Sequence, residues 1–102
     1  EMGARQAMAK RRLAGFPLDS DPAAFHVFLH LADPWRREDF VQAALAQGVR
    51  ISSASAFVIG REVAPHAVRI SLAAARDQET LDRALTVIAD LAQSRPGVRR
   101  AV

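Results

Sequence analysis

Val68-Arg69-Ile70-Ser71-Leu72 decides the fold. Val68, Ile70 and Leu72 alternate with Arg69, Ser71 and Ala73, the period of two that sends successive side chains to opposite faces of a strand. The pattern predicts a strand with one apolar and one polar face, and an arginine standing on the polar one. Toward the C-terminus, Asp77 is a side chain suited to capping a helix. Leu81, Ala84, Leu85, Ile88, Leu91 and Ala92 then follow at the i, i+3, i+4, i+7 spacing of an amphipathic helix. Pro96-Gly97 closes it. In the other direction, Gly60 to His66 reads as a loop, because Pro65 is unsuited to the interior of a sheet.

The same periodicities organise the rest of the chain. Phe25, Val27, Leu29 and Leu31 alternate with His26, Phe28 and His30, which predicts a second strand. Asp33-Pro34 reads as an N-cap followed by proline at the first helical position, opening a helix whose apolar stripe is Trp35, Phe40, Val41, Ala44 and Leu45. Gly48 stops it. Val49, Ile51, Ser53, Ser55 and Phe57 alternate with Arg50, Ser52, Ala54 and Ala56, so a further strand is expected directly after Gly48. Leu18 to Pro22 reads as a polar turn. Glu1 to Leu13 reads as a helix with a weak stripe of Met2, Ala4, Ala7, Met8 and Arg11, ended by Gly15 and Pro17.

The predicted order is helix, strand, helix, strand, strand, helix. The expected fold class is α/β of the α+β kind: a small, mostly antiparallel sheet of three to four strands with helices packed on one face. Val27, Leu29, Ile51, Val68, Ile70 and Leu72 would lie on the covered face. His26, Phe28, His30, Arg69 and Ser71 would lie on the other, which is not the composition of an ordinary solvated face.

The chain has 102 residues, half of them apolar and a quarter charged, which fits one globular domain. No apolar run approaches the roughly 20 residues of a membrane span, and no secretory signal is visible, so a cytoplasmic location is expected. There is no cysteine, which excludes disulfides, thiolate zinc sites and cysteine nucleophiles. The formal charge is +3. The clusters Lys10-Arg11-Arg12 and Arg95 to Arg100 read as a solvated helix end and a tail.

Few residues stand in a pattern that chemistry requires. A guanidinium fixed on a strand can grip a carboxylate with two parallel hydrogen bonds, which makes Arg69 the candidate binding residue. His26 and His30 would be roughly 13 Å apart at the rise of a strand, too far to share a metal. His66 stands beside Pro65 without a carboxylate at a ligand spacing. Ser52, Ser53 and Ser55 lack a nucleophile elbow and a partnered base. Trp35 reads as a core or interface anchor. No glycine loop that cradles phosphate is present. No catalytic, cofactor-binding or metal-binding residue is therefore assigned.

These motifs, in this order, resemble the small domain of fold type I pyridoxal-phosphate (PLP) aminotransferases, and in particular the aminotransferase-like domain of MocR-type regulators of the GntR family. Phe25 to Leu31 with Asp33-Pro34-Trp35 is similar to the first strand and helix start of that domain. Ala44 to Val49 resembles its helix end, Ser55-Ala56-Phe57 matches a triplet its members carry, and Asp77 to Leu91 matches its closing helix. Pro65 to Leu72 is similar to the stretch that holds the arginine binding the substrate α-carboxylate, which implies that role for Arg69.

The resemblance implies that residues 1–102 are the C-terminal small domain of a larger protein. That protein would bind PLP and an amino-acid or amine ligand between a large domain and this one. It would form a homodimer and contact DNA only through an N-terminal winged helix. The PLP-binding lysine and phosphate ligands of that family belong to the large domain. Lys10 matches no such motif, so the chain alone is expected to lack PLP and activity. A transaminase with the same arginine, and an α/β regulatory or nucleic-acid module unrelated to PLP proteins, are the alternative readings.

Overall fold

Alternation and capping chemistry become visible element by element in a computed structural model that describes residues 2–20, 25–32, 34–53 and 66–94. The described elements are α1 (Met2–Arg12), β1 (Leu18–Ser20), β2 (His26–His30), α2 (Arg37–Ala46), β3 (Ser52–Ser53), β4 (Ala67–Ser71) and α3 (Gln78–Gln93). The strands form one sheet in the order β1-β2-β4-β3, with every neighbouring pair antiparallel. The α+β class and the one-sided arrangement read from the sequence are the ones observed.

The core forms where the apolar faces meet. Val27, Leu29, Val68, Ile70 and Leu72 from the sheet region join Phe40 and Ala44 of α2 and Leu81, Leu85, Ile88 and Leu91 of α3 in one buried cluster. Each fully buried leucine or isoleucine removed from water contributes about 1.5–3 kcal/mol, so this cluster is the main source of stability. Asp77 caps α3 as expected: its carboxylate accepts from the Thr80 backbone N–H at 2.7 Å. Hydrogen bonds donated by Thr80, first from its side-chain hydroxyl and then from its backbone N–H, hold the Asp77 carboxyl below the usual carboxylate range.

Gly48 ends α2 as expected. Its N–H donates to Leu45 O and that of Val49 to Ala44 O, both at 2.9 Å, and Gly48 has φ of 85°. This is the paired bonding of a Schellman motif, which requires a left-handed residue just past the helix.

Four sequence expectations are corrected. Leu18–Ser20 is a strand rather than a turn, because Leu18 pairs with Leu29 on the core side. The α2 helix begins at Arg37, not at Pro34, and Arg36 in the capping position makes no side-chain cap bond. The delay has a cause. Trp35 is turned into the core, where its indole N–H donates to Leu91 O at 3.1 Å and Ser94 O at 2.7 Å. Asp33 itself lies outside the described residues.

The strand after Gly48 is limited to Ser52–Ser53 among the described residues, because Val49 is committed to ending the helix. Residues 54–57, including the Ser55-Ala56-Phe57 triplet, lie outside the description, as do nearly all of the Gly60 to His66 loop, the Pro96-Gly97 closure and the Arg95 to Arg100 cluster. Lastly, the buried side of α1 is Arg5, Gln6, Met8 and Ala9, while Ala4 and Ala7 are exposed. Arg5 is buried because its Nη1 donates to Leu72 O at 2.7 Å and Ala75 O at 2.8 Å, tying α1 to the chain just after β4.

Candidate functional site

The polar positions of β2 and β4 fall together on the sheet face opposite the helices. Strand register puts Phe28 directly across from Arg69, His26 across from Ser71, and His30 across from Ala67. On its other side Arg69 faces Ser52, and on the far side of Phe28 lies Asp19. Directly opposed residues share a face, so one row crosses all four strands: Asp19, Phe28, Arg69, Ser52. Arg69 stands in a central strand, half-buried, between an aromatic ring and a hydroxyl. Val68 and Ile70 on either side of it are buried in the core, so alternation directs its guanidinium away from the helices.

The neighbours of Arg69 are themselves tied down. The rings of His26 and Phe28 meet edge to face, with centroids 5.3 Å apart and an interplanar angle of 85°. That arrangement is the favoured one for aromatic pairs and fixes the Phe28 ring. His30 Nε2 lies 2.5 Å from Asp19 Oδ2, which pins the short edge strand β1 to β2. The result is a face with one strand-borne guanidinium, an oriented apolar ring beside it, and a carboxylate engaged by histidine at the rim. Such a guanidinium can bind a planar anion through paired N–H donors. The row contains no nucleophile with an adjacent base.

The remaining candidates have structural roles. His66 donates from Nε2 to the Trp35 carbonyl, and its own carbonyl accepts from Leu31 N–H at 2.9 Å, so it joins two loop segments. His26 and His30 do not approach a common point, and no group of metal-binding side chains occurs among the described residues. Lys10 is exposed on α1, which packs against α3 rather than on the sheet face that carries Arg69. In the basic cluster at the end of α1, Arg12 pairs with Asp82 of α3 through Nε–Oδ1 at 2.5 Å and Nη2–Oδ2 at 3.0 Å. A small apolar cleft of about 140 Å³ opens beside Phe16, Pro17, Leu31 and Trp35. No helix among the described residues is long and apolar enough to cross a membrane.

Sequence reasoning missed Ser52 and Asp19 as members of the Arg69 row. Alternation with Ile51 and Ser53 turns Ser52 away from the covered face, but its position opposite Arg69 depends on register, which alternation alone leaves undetermined. Asp19 falls in the stretch whose composition reads as a polar turn, and only its pairing with Phe28 puts it in the row.

No protein-family model matches the chain, and no curated protein does. Among solved structures it is similar to the crystal structure of an archaeal alanine:glyoxylate aminotransferase, with a TM-score of 0.73 and 14% sequence identity. The match covers 90% of this chain and 22% of that one, so the chain spans about a fifth of that protein's length. At this identity the likeness is one of fold.

Proposed function

We propose that the chain works as the small domain of a PLP-dependent, aminotransferase-like regulator of the MocR type, and that Arg69 binds the carboxylate of its amino-acid ligand. The observation that carries this reading is the position of Arg69: an arginine held mid-strand on the sheet face away from the helices, within a fold that matches an aminotransferase over nearly its whole length. The order of motifs along the chain supports the regulator within that class. The enzymatic neighbour favours the second reading, a transaminase in which the same arginine orients substrate.

The described residues do not fit PLP itself. The chain's one lysine is exposed on α1, away from the Arg69 face, and no glycine loop or cluster of cations is built there to hold a phosphate. In this reading the cofactor belongs to a large domain, the full-length protein is a homodimer, and DNA is reached only through a further N-terminal domain. The contribution of this chain is to bind and orient. Arg69 holds the carboxylate by two parallel N–H donors, and Ser52 and Ser71 offer hydroxyls on the same face.

The test is ligand titration of the full-length protein, wild type against Arg69→Ala, followed through PLP absorbance. Loss of a charge-assisted contact lowers affinity for a carboxylate-bearing amino acid about ten- to a hundredfold. The corresponding simple amine is expected to bind both proteins equally. Unchanged affinity for the carboxylate ligand refutes the assignment. Ligand-dependent binding to DNA without turnover distinguishes the regulator from the transaminase.

A further inference from the structure

The row that crosses the sheet has a chemical polarity of its own: carboxylate at Asp19, apolar ring at Phe28, guanidinium at Arg69, hydroxyl at Ser52. We infer that Phe28 is a specificity-determining residue of the Arg69 site, and that the site takes monocarboxylates with an apolar body in preference to dicarboxylates. The inference rests on Arg69 being the carboxylate ligand and adds to that reading the class of molecule it accepts.

Geometry gives the first reason. Residues directly opposite in an antiparallel pair have Cβ atoms about 4.5–5.5 Å apart. A carboxylate seated on Arg69 therefore has the Phe28 ring within one or two methylene lengths. The ring is half-buried and oriented by its edge-to-face contact with His26, so little ordering is needed when a ligand covers it. An apolar group placed there gains an aromatic contact and removes ring surface from water.

Charge gives the second reason. Arg69 is the sole arginine or lysine in the four strands. A second carboxylate extending along the row past Phe28 meets Asp19, another acceptor, already engaged by His30. Two ionised carboxylates cannot donate to one another. A ligand extending this way is thus rewarded for an apolar body and not for a second acid. His26 and Ser71 form the next pair on this face, two register positions along the strands, and leave the Arg69–Phe28 pairing undisturbed.

The test is a solution NMR titration of the 102-residue chain, whose own helices close its core, with sodium acetate, phenylacetate and succinate at constant ionic strength. Phenylacetate is expected to shift amides of both β2 and β4 and to bind about two- to tenfold more tightly than acetate. Succinate is expected to bind no more tightly than acetate after correction for its two equivalent ends. Phe28→Ala should abolish the preference for phenylacetate and leave acetate binding in place. Arg69→Gln should abolish both.

The possible failures are separable. If acetate and phenylacetate both leave β4 unperturbed, Arg69 is not a carboxylate ligand and both readings fall. If both bind through Arg69 with equal affinity, or Phe28→Ala keeps the preference, the Phe28 inference alone is overturned. Phenylacetate binding that survives Arg69→Gln also overturns it, since the contact is then apolar adhesion only.

Discussion

Replacing Arg5 by methionine isolates the polar tie that holds α1 to the sheet. Methionine keeps a flexible apolar stem and helix propensity, so the change falls mainly on the guanidinium. Arg5 is 8% exposed, and its Nη1 donates to Leu72 O at 2.7 Å and Ala75 O at 2.8 Å. Leu72 is fully buried, so water does not readily reach its carbonyl once the donor is gone. A buried acceptor left unmet costs about 1–3 kcal/mol. The Ala75 carbonyl sits in a partly exposed turn and recovers a water, so its loss is smaller. Against this, the guanidinium no longer has to be desolvated. The net destabilisation is about 2 kcal/mol, or a fall in Tm of about 10 °C for a domain of this size.

Urea unfolding followed by circular dichroism measures that loss. Hydrogen exchange at α1 amides locates it, since the helix buries few large apolar side chains and is expected to open before the sheet. Arg5→Lys is the control. Its single ammonium reaches one carbonyl but lacks the planar fork, so it should fall between wild type and Arg5→Met. A change below about 0.5 kcal/mol for Arg5→Met, within the range of ordinary surface substitutions, refutes the reasoning.

Trp35→Phe removes the indole donor to Leu91 O and Ser94 O and leaves part of a cavity beside Phe40. It should cost about 2–3 kcal/mol in denaturant unfolding, with fraying at the end of α3 visible in hydrogen exchange. Acid should destabilise the fold through Asp82 and Asp77. The hydrogen bond from Arg12 lowers the Asp82 carboxyl and those from Thr80 lower Asp77, so their contribution is present above the unfolded value of about 4 and is lost as pH falls through the folded pKa. Asp82→Asn should flatten the acid limb of Tm against pH, and an unaltered limb counts against the pair. Incubation of the chain with PLP, borohydride reduction and mass spectrometry should yield no stoichiometric adduct at one specific site, and no transaminase activity is expected. Sporadic labelling of Lys10 is compatible with this, whereas specific labelling is not.

Periodicity and capping are local properties, and they were legible in the sequence wherever burial imposed them. Val68, Ile70 and Leu72 could only be a core-facing edge of alternation, Asp77 could cap only what followed it, and Gly48 supplied the positive φ that a Schellman turn requires. From these alone came the α+β class, the covered face and the direction of Arg69. What belonged to the tertiary structure was everything set by a partner distant in the chain. Leu18–Ser20 became a strand because β2 offered it a register, not because its own residues favour one. Trp35 left its predicted helix because the carbonyls at the end of α3 needed a donor. Arg5 was buried by two carbonyls some seventy residues away, a contact that no local pattern encodes. The row of Asp19, Phe28, Arg69 and Ser52 likewise exists only through register. Alternation says which face a side chain takes, and only the pairing of strands says which residue stands beside it.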